Sequence, residues 1–188
     1  MINFQHKFIF IHITKTGGCS IERALGGKLQ DHRRPRKYQI EHGMNIFDNF
    51  FTFTVVRNPW DKIVSHYCYQ RRQFRSNLKR RHLIKDMTFT QYVDALSSGV
   101  KLCNFSMHQH PWLVGLKGNV VVDQVLRFEN LQIGFDAICK KFNIDVSLPH
   151  RNRSRRAHYH TYYNNRTRDI VGNIFKKDID LFDYKFDN

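Results

Sequence analysis

Residues 7–25 read KFIFIHITKTGGCSIERAL, and this stretch decides the fold. Its opening, Lys7 to Ile13, is aromatic and β-branched, the composition of a buried strand. It runs into Thr14-Lys15-Thr16-Gly17-Gly18-Cys19-Ser20, a short loop with two adjacent glycines, after which Ile21 to Leu25 takes up helical spacing. Strand, glycine loop and helix in that order suit an anion-binding turn; the alternative is an ordinary turn whose Lys15 is merely solvated. Gly17 and Gly18 can adopt positive φ and let a ligand approach the backbone. The helix N-terminus adds about half a positive charge at the same point. Lys15 contributes a mobile cation, and Thr16 and Ser20 contribute hydroxyl donors. The order differs from the triphosphate loop G-x-x-x-x-G-K-[ST], because Lys15 precedes the glycines, and the dinucleotide pattern G-x-G-x-x-G is absent.

The same alternation continues outward. Phe51 to Val56 reads as a second buried strand, stopped by Arg57-Asn58-Pro59, with a helix from Trp60 to at least Tyr69. Thr88 with Gln91 resembles a capping box opening a helix through Leu96. Val120 to Leu126 reads as a third strand, followed by a helix from Glu129 to Phe142. From about Asn165 the residues Ile170, Val171, Ile174 and Phe175 mark one helical face. Residues 28–45 are polar and basic and read as an exposed connection. Buried strands alternating with helices predict a three-layer α/β sandwich with a central parallel sheet, a single domain over residues 1–188. Ligands of such sheets bind beyond the carboxyl ends of the strands. Arg57 and the 14–20 loop are therefore expected at one sheet edge as two anion sites. Ser65, about two helical turns beyond Arg57, would assist it; the alternative partner for Arg57 is Asp61.

Composition narrows the partners. Lys and Arg number 31 against 16 Asp and Glu, a formal net charge of +15. Such a field attracts nucleic acids, acidic glycans, nucleotide cofactors or an anionic membrane surface. The four cysteines, Cys19, Cys68, Cys103 and Cys139, form no C-x-x-C pair, which argues against a zinc site or dense disulfides and for a reducing compartment. The pairs His108/His110 and His158/His160 lack neighbouring carboxylates or thiolates, so no metal is expected there. No run approaches the roughly 20 apolar residues of a membrane span, and no signal-peptide pattern opens the chain, so a cytoplasmic location is expected.

FIHITKTGGCSIERAL resembles the 5′-phosphosulfate-binding loop of the sulfotransferases, commonly P-K-T-G-G-T-S at its core. FTFTVVRNPWDKIVSHY is similar to their 3′-phosphate-binding strand and helix, and VLRFENL and KKDIDLFDYKF resemble the branch with the Golgi carbohydrate sulfotransferases and their bacterial relatives. Thr14 stands where proline is common and Cys19 where threonine is common. The resemblance implies a fold related to P-loop nucleotide kinases. It also implies sulfuryl transfer from 3′-phosphoadenosine 5′-phosphosulfate (PAPS) to a hydroxyl, with adenosine 3′,5′-bisphosphate as the product and no metal. Lys15, Thr16, Gly17, Gly18, Cys19 and Ser20 would hold the 5′ end, Arg57 and Ser65 the 3′-phosphate, and Arg153 and Ser154 a late loop over the nucleotide. Lys15 would also stabilise the leaving phosphate oxygen.

A base must take the acceptor proton, and histidine suits neutral pH. The resemblance implies His42 as the base, because it precedes the second strand by about ten residues, where the carbohydrate sulfotransferases of this branch carry their catalytic histidine. The alternatives are Glu41 as a carboxylate base and His42 as a plain surface residue. His12 reads as a core residue and His66 as a helix-face residue. Tyr159, Tyr162 and Tyr163 read either as stacking groups or as core. The acceptor implied is a glycan hydroxyl. The acid-free run 71–85 would bind an anionic acceptor or form a solvated helix. Two rivals stand beside this reading. A kinase would need ATP and Mg²⁺, for which the lysine order and the lack of a clear metal-binding acid are unfavourable. A nucleic-acid-binding protein would show steep salt dependence, but no recognisable binding motif is present.

Overall fold

The computed structural model describes residues 1–27, 31–72, 84–102, 107–149 and 156–187. The chain forms two compact units, Met1–Arg57 with Gln109–Arg153, and Asn58–His108 with Ser154–Asn188.

The first unit holds the sheet. Its strands are β1 (Ile2–Asn3), β2 (Phe8–Ile11), β3 (Phe51–Val56) and β4 (Gln124–Arg127), in the order β1-β2-β3-β4. β2, β3 and β4 run parallel, and the short β1 adds antiparallel to β2. Every residue of β2 is buried, as expected of a parallel strand covered on both faces. The register pairs Phe10 with Phe53 and Ile11 with Thr54, whose hydroxyl donates to the Ile11 carbonyl at 2.7 Å. Phe8, Phe10, Phe53, Val55 and Leu126 pack in one apolar cluster with Ile21 of α1 (Gly18–Ala24) and Phe135 and Ile138 of α5 (Leu131–Phe142). The protein is thus an α/β fold with a mostly parallel sheet flanked by helices.

Beyond shifts of two or three residues at element ends, such as α1 opening at Gly18 and not Ile21, two readings differ. The third strand begins at Gln124, not Val120. Asp123 sets its register: the carboxylate accepts the Thr52 N–H at 2.6 Å, while the Asp123 N–H reaches the Thr52 carbonyl at 2.8 Å. Val120 instead makes an isolated bridge to Val114. Residues 28–45 are not simply a connection, because Pro35–His42 forms helix α2. Proline in the first turn presets φ, and Pro35, Tyr38 and Gln39 are buried. This narrow stripe was hidden in polar composition.

The second unit is helical, with α3 (Pro59–Arg72), α4 (Phe89–Ser97), α6 (Asn165–Ile174) and α7 (Lys176–Phe182). Trp60, Ile63, Val64 and Tyr67 of α3 pack with Tyr92, Val93, Val171 and Phe175. Both expected helix starts are present. Thr88 and Gln91 make a reciprocal capping box at α4, and Asn164 and Thr167 make another at α6.

Candidate active site

The loop after β2 departs from ordinary backbone geometry. Lys15 has φ +66° and Gly17 φ +85°, both left-handed. For a side-chain-bearing residue this costs on the order of 1 kcal/mol or more, so the surroundings must hold it. They do: the Lys15 carbonyl accepts a hydrogen bond from Nη1 of Arg57 at 3.0 Å. Arg57 follows β3 directly, so two neighbouring parallel strands deliver both cations to the carboxyl edge of the sheet. The guanidinium lies 3.9 Å from the centre of the Phe128 ring, and the residue is 7 % exposed. Its backbone is fixed at both ends by Gln109, whose Oε1 accepts from the Arg57 N–H at 2.9 Å and whose Nε2 donates to the carbonyl at 2.8 Å. Nothing in the sequence around Gln109 signals this clamp.

Gly17 precedes the first turn of α1, and no side chain caps that helix or places an acid in its first turn. The uncapped amide end is suited to an anion. A side chain at Gly18 has no room, since a Cβ there would lie 2.1 Å from Cδ2 of His12. The Thr16 hydroxyl is buried and donates to the Ile13 carbonyl at 2.8 Å, so it braces the turn from inside. The Thr14 hydroxyl is buried without a partner. Ser20 is half-buried, and its N–H bonds the Gly17 carbonyl at 3.0 Å. Cys19 is a half-buried free thiol; burial pushes its pKa up, with the nearby Glu22 charge adding to the effect, so it stays a weak S–H donor.

Behind the loop lies a buried polar pair. His12 Nδ1 and Glu22 Oε1 are 2.8 Å apart, and Oε1 also accepts the Asp31 N–H at 3.0 Å. Because that oxygen is already an acceptor, His12 is the donor. Candidate ligand atoms of His12, Cys19 and Glu22 lie within 4.8 Å of one another. A cation there would have to displace the His12–Glu22 hydrogen bond.

Sequence reasoning missed His32. Its Nδ1 lies 3.2 Å from the His12 carbonyl, and the two rings are 4.2 Å apart. Donation from Nδ1–H to that carbonyl fixes the neutral tautomer and leaves Nε2 as an acceptor. Partial burial lowers its pKa, and the neighbouring His12 lowers it further, so the ring is a free base at neutral pH. His42 is exposed at the end of α2, edge-on to Phe4 at 6.0 Å and stacked on Tyr38 at 6.4 Å. Glu41 is bound by Arg33 and Lys37; the Arg33 hydrogen bond chiefly lowers its pKa, making it a weaker base.

In the second unit, Ser65 is half-buried on α3, Asp61 pairs with Arg156, and His66 is buried with Nδ1 2.7 Å from the Tyr92 hydroxyl. Tyr159 is buried and Tyr163 donates to the Trp60 carbonyl at 2.9 Å; together with Tyr162 they belong to the helical core. Arg153, Ser154 and most of the basic run 71–85 lie outside the described residues.

Lys15 and Arg57 both stand at the carboxyl edge of a parallel sheet, beside a helix start that no side chain caps, in an α/β protein. The comparisons make this specific. The sulfotransferase family model matches residues 1–185, and the chain belongs to that family. An uncharacterised protein of Archaeoglobus fulgidus is 28 % identical over 113 residues, which cover 56 % of this chain and 78 % of the archaeal one. No solved structure matches the chain. Family membership makes the protein a transferase of sulfuryl groups to a hydroxyl-bearing acceptor. Among the described residues no helix is long and apolar enough to cross a membrane.

Proposed function

We propose that the donor is PAPS and that the acceptor is a carbohydrate hydroxyl. The observation that carries this reading is the hydrogen bond between Arg57 and the Lys15 carbonyl, which brings Arg57 to the glycine turn within the first unit. The 5′-phosphosulfate lies against residues 15–20 and the 3′-phosphate against Arg57, whose planar guanidinium matches phosphate geometry. Ser65, and Arg153 with Ser154, are the further nucleotide contacts carried by the family resemblance. The acceptor oxygen attacks sulfur in line, and the bond from sulfur to the bridging phosphate oxygen breaks. Lys15 and the α1 amide end offset the charge left on that phosphate. We assign the acceptor proton to Nε2 of His32 in preference to His42, because His32 stands beside the strand end that carries the loop and presents an unprotonated nitrogen.

Titration calorimetry with adenosine 3′,5′-bisphosphate and with ADP–Mg²⁺ tests the donor. The bisphosphate binds more tightly, and Arg57→Ala weakens it roughly 10- to 100-fold, the worth of a charge-assisted contact. Preference for ADP–Mg²⁺ would turn the reading to a kinase. His32→Ala lowers turnover by about 10²- to 10⁴-fold with bisphosphate affinity retained, whereas His42→Ala leaves turnover intact; the reverse pattern restores His42 as the base. The acid limb of kcat/KM falls below the ordinary histidine value of 6.5, since a lowered pKa keeps the base deprotonated to more acidic pH.

A further inference from the structure

Arg57 stands one residue past the last rung of the sheet. The parallel ladder between β3 and β4 ends at the pair Val56 and Arg127, so the peptide groups of Arg57 lie beyond it. Buried peptide groups need partners, and Gln109 serves both with one side chain. Its Oε1 accepts the Arg57 N–H at 2.9 Å, and its Nε2 donates to the Arg57 carbonyl at 2.8 Å. A side-chain amide carries an acceptor and a donor side by side, so Gln109 acts as one more rung at the end of β3. Gln109 is fully buried and is itself held. It precedes the one-turn helix His110–Trp112, where the Trp112 N–H bonds the Gln109 carbonyl at 2.9 Å, and Trp112 and Leu113 are buried.

The clamp fixes the main chain of Arg57, and the side chain inherits that placement. Nη1 reaches the Lys15 carbonyl at 3.0 Å while the guanidinium lies 3.9 Å from the centre of the Phe128 ring. Phe128 also backs the glycine turn, since a Cβ on Gly17 would lie 3.1 Å from its Cδ2. One guanidinium therefore meets a carbonyl and a ring at once, and an arginine gives up much rotamer freedom to be held so. No such hydrogen bond survives beyond about 3.5 Å. A shift of about 1 Å in the Arg57 main chain would break the contact with Lys15 and release the guanidinium.

We propose that Gln109 is the positioning residue that gives the nucleotide site its preference for a 3′-phosphate, by holding Arg57 where its guanidinium receives that group. This rests on the donor reading above and adds to it a residue outside both phosphate motifs. Gln109 acts through Arg57 alone. Removing the amide takes two buried hydrogen bonds from the Arg57 main chain, and the strand end moves to replace them. The 5′ end of the nucleotide is held by residues 15–20, which the clamp does not touch. Gln109 is uncharged, so its substitution leaves the general field of the protein as it was.

The test is calorimetry with adenosine 3′,5′-bisphosphate and adenosine 5′-phosphate, which differ by the 3′-phosphate alone. Wild type binds the bisphosphate about 10- to 100-fold more tightly, in line with one charge-assisted contact. Gln109→Met matches the side chain in length but has no N–H to donate. It lowers the preference at least about fivefold, weakening the bisphosphate and leaving the monophosphate within about twofold of wild type. Gln109→Asn keeps the amide but falls one methylene short of both groups, and it lowers the preference likewise. In an Arg57→Ala background, Gln109→Met changes the preference by less than about twofold, because the clamp then has no guanidinium to place. Loss of both nucleotides together in the Met and Asn variants marks a merely structural role and overturns the proposal. Losses that add to those of Arg57→Ala overturn it too. A wild-type preference that both Gln109 variants keep overturns this role alone, whereas equal binding of the two nucleotides by wild type overturns the donor reading and this role with it.

Discussion

Four helix starts, two in each unit, follow opposite designs. In the helical unit, α4 and α6 open with complete capping boxes, so their first amides are satisfied by Thr88, Gln91, Asn164 and Thr167. In the sheet unit, α1 and α2 open with no side-chain cap and no acid in the first turn. A cap is worth about 1 kcal/mol to a helix, and an acid in the first turn adds a few tenths more. The sheet unit forgoes both at the two helix ends next to its histidines and cations.

The largest break in this contrast comes from Gly18→Ala. The added carbon would sit 2.1 Å from the His12 ring, which cannot retreat without leaving Glu22. Overpacking of this kind costs about 3 kcal/mol at the upper end of its range; guanidinium denaturation with an unchanged slope checks it. Wild-type stability in this variant would mean that the loop is looser than its geometry implies.

Ser20→Asp sharpens the contrast by giving α1 the acid it lacks. The helix dipole then gains about 0.5 kcal/mol of stability. Adenosine 3′,5′-bisphosphate affinity falls on the order of 100-fold, because a fixed carboxylate within a few ångströms repels the phosphate. Stability and binding move in opposite directions, which a simple folding defect would not produce. Binding unchanged in this variant would place the phosphate elsewhere.

Thr88→Ala should give the smallest effect. It removes the α4 cap, lowers stability by about 1 kcal/mol and leaves bisphosphate affinity as it was. A tenfold loss of affinity would show that the helical unit's caps are not purely structural.

Much of this arrangement is legible in the residues themselves. FIFI and FTFTVV admit little but buried parallel strands, and the capping-box signature at Thr88 depends on a neighbour three residues away. The 14–20 loop is equally local, because Gly17 and Gly18 stand between a strand and a helix. Helix α2 was harder to read, since only Pro35, Tyr38 and Gln39 of its eight residues are buried. β4 was misplaced because three consecutive valines outweigh Asp123 in any propensity reading. Only the pairing with Thr52 reveals the carboxylate as the register pin.

The sequence alone therefore determined most of the elements and the glycine turn after β2, because both are set by periodicity and short-range chemistry. Tertiary structure decided which distant groups meet: Gln109 on the Arg57 backbone, the Lys15 carbonyl under its guanidinium, His32 against His12, and Trp112 beneath Arg34. Those contacts span from 20 to 78 residues, and no local pattern encodes a partner so far along the chain. Among several histidines and many arginines, only the folded chain separates those held by an acid, such as Arg33, from those set on a ring or a carbonyl, such as Arg34 and Arg36.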